Sequence, residues 1–322
     1  MKIFDKKRSG ARVIDLRSDT VTKPSKEMRA AMAAADVGGR SLQVKAAELT
    51  GKDAALFVPS GTMGNLAAVM AHCPGRGDEI LVGDLAHIIL WEQGGVAQLA
   101  GIHTRQVRTN LDGTLDLLDV ESKVRSTGDA HLPTSRLICL EQTHNATGGR
   151  VLSLEYLQKL LVSLLHRSPS MLIQSLSAFQ RVLVPPVGSV IAGEKDFITR
   201  IFVSDDIWPS DPNDVVHASV YKGLDLQCWR HRKVLGGGMR QAGVLAAGGI
   251  YALDNIAPKT TKCDHTNAEI LAKGIHNMKD LGLDVDLKSV ETNMMYFNVN
   301  HRTVSANELV KRMVDISGQR SH

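Results

Sequence analysis

The chain has 322 residues, 43% of them hydrophobic and 22% charged, enough to bury a large core in one large and one smaller domain. Its formal charge of +4 is spread over 38 basic and 34 acidic residues with only Lys6-Lys7-Arg8 as a basic run, which argues against nucleic-acid binding. No apolar run approaches membrane-spanning length, Asp5 and Asp15 interrupt any signal-peptide core, and Cys73, Cys139, Cys228 and Cys263 have neither disulfide nor zinc spacing, so a reducing, cytoplasmic location is expected.

From Asp15 onward helix-like and strand-like segments alternate, the pattern of an α/β fold with a mostly parallel sheet. Pro24 is expected to open a helix with Met28, Ala31, Met32 and Ala35 on its inner face. Ala54 to Val58 reads as a short buried strand that passes through the Ser60-Gly61-Thr62 turn into an amphipathic stretch, Met63 to Cys73. A strand, a glycine turn and a helix start make an anion seat, because free backbone N–H groups and the positive end of the helix dipole converge there. The Ser60 and Thr62 hydroxyls would add donors. The same residues also suit an ordinary strand-to-helix turn.

Glu79 to Val82 and Leu137 to Glu141 are the next strands, each leading into a polar loop where Asp84, His87, Glu141, Thr143, His144 and Asn145 gather. Leu154 to Leu165 reads as a helix. The stretches His166 to Val184 and Ile201 to Cys228 show no element of the expected type. Beyond them come a strand at Val190 to Ala192, a helix at Thr266 to Leu281, a strand at Met294 to Val299 and a helix start at Ala306 to Val314. His72, His87, His131 and His144 lack metal-ligand spacing and no Gly-x-Ser-x-Gly occurs, so neither a metal site nor a serine hydrolase is expected.

Several segments together carry a resemblance: Ile14-Asp15-Leu16-Arg17-Ser18-Asp19-Thr20-Val21-Thr22, the Ser-Gly-Thr-Met-Gly-Asn turn at 60–65, Gly83-Asp84-Leu85-Ala86-His87, Glu141-Gln142-Thr143-His144-Asn145, and Leu235-Gly236-Gly237-Gly238-Met239-Arg240-Gln241-Ala242-Gly243. The chain resembles the low-specificity L-threonine aldolases, pyridoxal 5'-phosphate enzymes of the aspartate-aminotransferase fold (fold type I). The resemblance implies an N-terminal arm over 1–24, a cofactor-binding large domain over 25–245 disrupted at 166–184 and 201–228, and a truncated small domain over 246–322. It also implies a homotetramer that cleaves threonine or allo-threonine to glycine and acetaldehyde. By the same resemblance Ser60, Gly61 and Thr62 hold the cofactor phosphate, with Lys233 and Arg240 adding positive charge. His87 would stack on the cofactor ring and act as a base on the substrate hydroxyl, His144 would assist it, and Ser18 would bind the substrate carboxylate.

The chain departs from that pattern at the residues that make the cofactor reactive. The family's His-x-Asp-Gly-Ala-Arg strand, which supplies the acid for the pyridine nitrogen, has no counterpart after the helix at Leu154 to Leu165. Arg181 stands where the family carries the lysine that forms the cofactor imine, and a permanently protonated guanidinium is a poor nucleophile. Against the same resemblance, further departures expected are a deletion after Val37-Gly38, an insertion over 201–228 and the absence of the family's C-terminal strands after Gln319. Lys222, within Tyr221-Lys222-Gly223-Leu224, follows Pro-Val-Gly-Ser instead of preceding it and is expected to be a solvated side chain. The expectation is an aldolase relative that is catalytically dead or severely impaired, with a non-catalytic partner of intact aldolase subunits or the non-functional product of a decayed or mis-spliced gene as alternatives.

Overall fold

The structure is a computed structural model that describes residues 18–38, 40–125, 129–167, 172–176, 186–193 and 227–317. At its centre four strands run parallel in the order β3-β2-β4-β5: β2 is Asp78–Gly83, β3 His103–Val107, β4 Thr134–Glu141 and β5 Leu172–Leu176. β2 is buried along its whole length, and its alternate residues serve opposite faces. Ile80 and Val82 pack with Val69, Ile88, Val96 and Cys139 on one side. Leu81 packs with Val107, Ile138, Leu140, Leu160 and Leu164 on the other. Helices therefore cover both faces: α3 (Gly61–His72) lies on the first, and α5 (Leu117–Lys123) and α6 (Leu154–Arg167) lie on the second.

The buried carboxylate of Glu79 sits at the amino ends of these strands. It is compensated there by Ser135 Oγ at 2.7 Å, His103 Nδ1 at 3.0 Å and Arg125 Nη1 at 3.3 Å. The opposite, carboxyl ends of β2 and β4 carry the polar loops.

A second ladder pairs β1 (Ala54–Val58) antiparallel with β6 (Ser189–Gly193), Leu56 facing Ile191. Phe57 of β1 joins a core with Met28 of α1 (Lys26–Ala33), Leu42 of α2 (Arg40–Thr50) and Ala246 of α8 (Gly243–Tyr251), while α7 (Gln227–Val234) packs on α3. Downstream, α9 (Ala257–His276) covers a small core of Ala272, Ile275 and Val285, and α10 (Ala306–Ser317) follows.

Four expectations change. Ser25, not Pro24, sets the start of α1: its Oγ accepts the Met28 N–H at 3.1 Å, a bond for which proline has no group, and Ala35 falls beyond the helix end. The stretch 166–184 does contain a strand, because β5 draws its order from pairing with β4, Leu137 to Leu172 through Glu141 to Leu176, and not from an alternating pattern. α9 begins at Ala257, since Pro258 suits a first turn, and it ends at His276 before a short 3-10 turn. The strand foreseen over Met294 to Val299 shrinks to β8 (Asn298–Val299), paired with β7 (Leu283–Asp284). The residues before it are engaged in side-chain bonds to a distant loop: Thr292 Oγ1 donates to the Gly149 carbonyl at 3.1 Å and Tyr296 OH to the Asn145 carbonyl at 3.0 Å.

Candidate active site

The turn after β1 ends in a helix N-terminus, a geometry that suits an anion. Ser60 is extended (φ −154°, ψ 160°); its Oγ accepts the Met63 N–H at 3.2 Å and its carbonyl the Gly64 N–H at 3.0 Å. Of the N–H groups of residues 61–64, that of Met63 is thereby satisfied by the cap and that of Gly64 by the first bond of the helix. The other two, on Gly61 and Thr62, meet no acceptor among the described residues and lie at the positive end of the helix dipole. Gly61 is half-buried and Thr62 exposed, so a ligand can reach them. Ser60 thus serves first as the cap of the helix, with its hydroxyl hydrogen left to donate.

The carboxyl ends of β2 and β4 bring the histidine segments together. Asp84 is occupied in joining β2 to β3: its Oδ1 accepts the Thr109 N–H at 2.9 Å. His87 opens α4 (His87–Leu90), and its backbone N–H donates to Glu141 Oε2 at 2.6 Å. Glu141 is the last residue of β4, 8% exposed, and its Oε1 accepts the Asn145 N–H at 2.8 Å. One carboxylate therefore pins the His87 segment and the turn that follows His144. The His87 ring is part-exposed, and its Nδ1 lies 2.9 Å from Glu92 Oε1, which also accepts from Asn65 Nδ2 at 2.8 Å. Asn65 lies one turn into α3, so this chain of bonds fixes His87 relative to the seat.

His144 is buried. Its Nδ1 lies 3.1 Å from Thr147 Oγ1, and its Cβ lies so close beneath Gly113 (φ 83°) that a side chain there would stand 2.9 Å away. Tyr296 reaches the same turn through the Asn145 carbonyl.

Lys233 and Arg240 flank the end of α7. The helix closes on Gly236 (φ 88°), with Gly237 N–H donating to the Arg232 carbonyl at 2.8 Å and Gly236 N–H to that of Lys233 at 3.1 Å, a Schellman cap. Gly237 then lies against Met63 of α3, where a Cβ would strike the sulfur. Arg232 is buried and donates from Nη1 to the Phe57 carbonyl at 2.9 Å, tying α7 to β1. Lys233 and Arg240 are exposed and form no ion pair with a described residue. Ser18 is exposed at the head of the short turn Asp19–Val21, and its Oγ accepts from the Thr20 hydroxyl at 3.1 Å. Arg181 and Lys222 lie outside the described residues.

Glu92 and the role of Asn65 escape a sequence reading. The available signal is a single acid between two apolar runs, Ile88 to Trp91 and Val96 to Ala97, followed by Gly94-Gly95. Such an acid is expected to be buried against donors. No group of three or more potential metal ligands clusters among the described residues, and none of their helices is long and apolar enough to cross a membrane.

A family model described as beta-eliminating lyase matches residues 15–163 and 176–300. The chain is 36% identical to low-specificity L-threonine aldolase 1 of Arabidopsis thaliana, over 95% of this chain and 87% of that protein. It is 35% identical to the low specificity L-threonine aldolase of Escherichia coli strain K12, over 91% of this chain and 87% of that one. Among solved structures, the threonine aldolase of Leishmania major superposes with a TM-score of 0.63 at 15% identity, covering 84% of this chain and 80% of that chain.

Proposed function

Because the chain belongs to the beta-eliminating lyase family and has low-specificity L-threonine aldolases as relatives, we propose that it binds pyridoxal phosphate reversibly and does not cleave threonine. Its fold is that of pyridoxal-phosphate enzymes of fold type I. The observation that carries the reading is the pair of N–H groups on Gly61 and Thr62 at the start of α3, without an acceptor among the described residues, which suits a phosphate dianion. Lys233 and Arg240 add charge, and the His87 ring, held by Glu92, offers a flat face to an aromatic ligand. When bound, the cofactor supplies an electron-accepting ring, provided an amine holds it and an acid keeps its nitrogen protonated.

The sequence supports neither provision. β5, the strand that follows α6, reads Leu172-Ile173-Gln174-Ser175-Leu176 and contains no carboxylate. The family match also breaks between residues 163 and 176, around that strand. Arg181 stands in place of the imine lysine. The phosphate and ring fit the site; the covalent attachment does not, and these residues provide no route to breaking a carbon–carbon bond. By the family resemblance His87 and His144 would be the residues that move the hydroxyl proton, without a cofactor bond to make use of it. A titration tests the reading: saturable binding of pyridoxal phosphate that inorganic phosphate displaces, with no acetaldehyde from L-threonine or L-allo-threonine, supports it. Absence of saturable binding refutes it.

A second reading is a subunit-binding role, as a homo-oligomer or beside intact aldolase chains. Leu85, Leu90 and Trp91, on either side of His87, are 40%, 45% and 69% exposed, an apolar surface that a second chain would cover. Size-exclusion with and without an aldolase subunit distinguishes this from a monomer.

A further inference from the structure

We propose that Glu92 is a positioning residue of this site, whose carboxylate fixes the tautomer and orientation of the His87 imidazole and couples that ring to the phosphate seat through Asn65. The side chain of Glu92 is 3% exposed, whereas that of His87 is 33% exposed. A carboxylate this deeply buried needs donors, and its Oε1 receives two, from Asn65 Nδ2 at 2.8 Å and from His87 Nδ1 at 2.9 Å. Because an ionised carboxylate only accepts, the hydrogen of the neutral His87 ring resides on Nδ1 and the lone pair on Nε2, turned away from Glu92. The same logic sets the Asn65 amide, whose NH2 group must face Glu92.

The backbone is shaped to deliver the acid. Gln93 (φ 57°) and Gly94 (φ 64°) are both left-handed, and the Gly95 N–H returns to the Glu92 carbonyl at 3.0 Å, so the chain reverses directly after Glu92. Gln93 accepts the cost of this conformation, about 1 kcal/mol for a residue with a side chain. Asn65 stands in the second turn of the helix whose first N–H groups form the seat. A ring fixed to Asn65 is therefore fixed relative to a bound phosphate, which is what stacking on the ring of a phosphate-anchored cofactor demands. Only the identity of the stacked ring rests on the proposed cofactor.

The test uses the full chain and two independent readouts. In ligand-free protein labelled with ¹⁵N-histidine, the His87 signal, assigned by its loss in His87→Asn, is expected to report the Nδ1–H tautomer. Glu92→Ala is expected to shift it towards the Nε2–H form, and Glu92→Gln, which keeps an acceptor oxygen, to preserve it. Glu92→Ala is further expected to weaken pyridoxal phosphate about tenfold while leaving inorganic phosphate within about twofold, with Glu92→Gln restoring most of the loss. A merely structural role would weaken both ligands together, and that result overturns the inference. So does an Nε2–H tautomer in the unsubstituted protein, a measurement that needs no variant to fold. If the unsubstituted protein binds no pyridoxal phosphate, the proposed function fails while the tautomer still decides the role of Glu92.

Discussion

Glu141 Oε2 accepts the backbone N–H of His87 at 2.6 Å, joining the carboxyl end of one central strand to the loop that leaves its neighbour. With Oε1 on the Asn145 N–H at 2.8 Å, removal of this carboxylate strands two amide donors in a buried setting. Glu141→Ala is expected to cost about 3 kcal/mol in urea unfolding, and Glu141→Gln about half as much because its oxygen serves one donor and its NH2 group opposes the other. Equal stability of all three proteins would show that the bridge does not matter.

At the seat, stability and binding are expected to separate. Ser60→Ala removes the helix cap and is expected to lower stability by about 1 kcal/mol. Gly61→Pro is expected to change stability little, since Gly61 is the first helical residue and Ser60 is already extended (φ −154°, ψ 160°), as a residue before proline prefers to be. It deletes one of the two donors, so affinity for inorganic phosphate should fall several-fold by calorimetry. Unchanged phosphate affinity would remove the seat from the account.

Two glycines predict opposite signs. A Cβ on Gly243 would lie 2.7 Å from the Val37 carbonyl carbon and 2.8 Å from that of Asp36, and the turn cannot retreat without breaking the bond from Gly243 N–H to the Val37 carbonyl at 2.9 Å. Gly243→Ala is expected to destabilise by about 3 kcal/mol. Gly274 lies within α9 with nothing within 4 Å of its would-be Cβ, so Gly274→Ala should stabilise by about 0.5–1 kcal/mol. Thermal melts of the two variants check both signs.

The cysteines give a pH prediction. Burial, reinforced by the nearby Asp78 carboxylate, pushes the Cys73 thiol from its ordinary 9.0 up to about 12, and burial raises Cys139 as well. Both are neutral in the folded protein, so iodoacetamide at pH 8 should label exposed Cys263 and spare Cys73 and Cys139 until denaturant is added. In the unfolded chain Cys73 ionises above pH 9, so its contribution to stability is full below that value. It is lost as pH rises towards 12, by about 1.4 kcal/mol per unit. Cys73→Ala should flatten the alkaline decline.

Much of the scaffold was legible from local signals. Continuous apolar runs marked β2 and β4, and the Ser-Gly-Thr turn marked the start of α3, because these features depend on neighbours in the chain. β5 was not legible: its order comes from pairing with β4, and Leu172-Ile173-Gln174-Ser175-Leu176 alternates weakly. The docking of Thr292 and Tyr296 onto the turn after His144 spans 143 and 151 residues of sequence, and no local pattern announces it. Glu92 was hidden for a different reason, since its donors, Asn65 and His87, lie 27 and 5 residues away in the chain and only the fold brings them onto one carboxylate oxygen. α2 was missed because its register of small and polar residues, Arg40–Thr50, buries little beyond Leu42, Ala46 and Ala47.

The central claim is that the phosphate is held while the ring is never bonded. The most direct measurement incubates the purified chain with pyridoxal phosphate, reduces with borohydride, maps peptides by mass spectrometry and assays glycine released from L-threonine. The account predicts reversible binding, no pyridoxyl group on any side chain and no glycine. A pyridoxyl adduct on Lys222 or another lysine, accompanied by glycine formation, would contradict it.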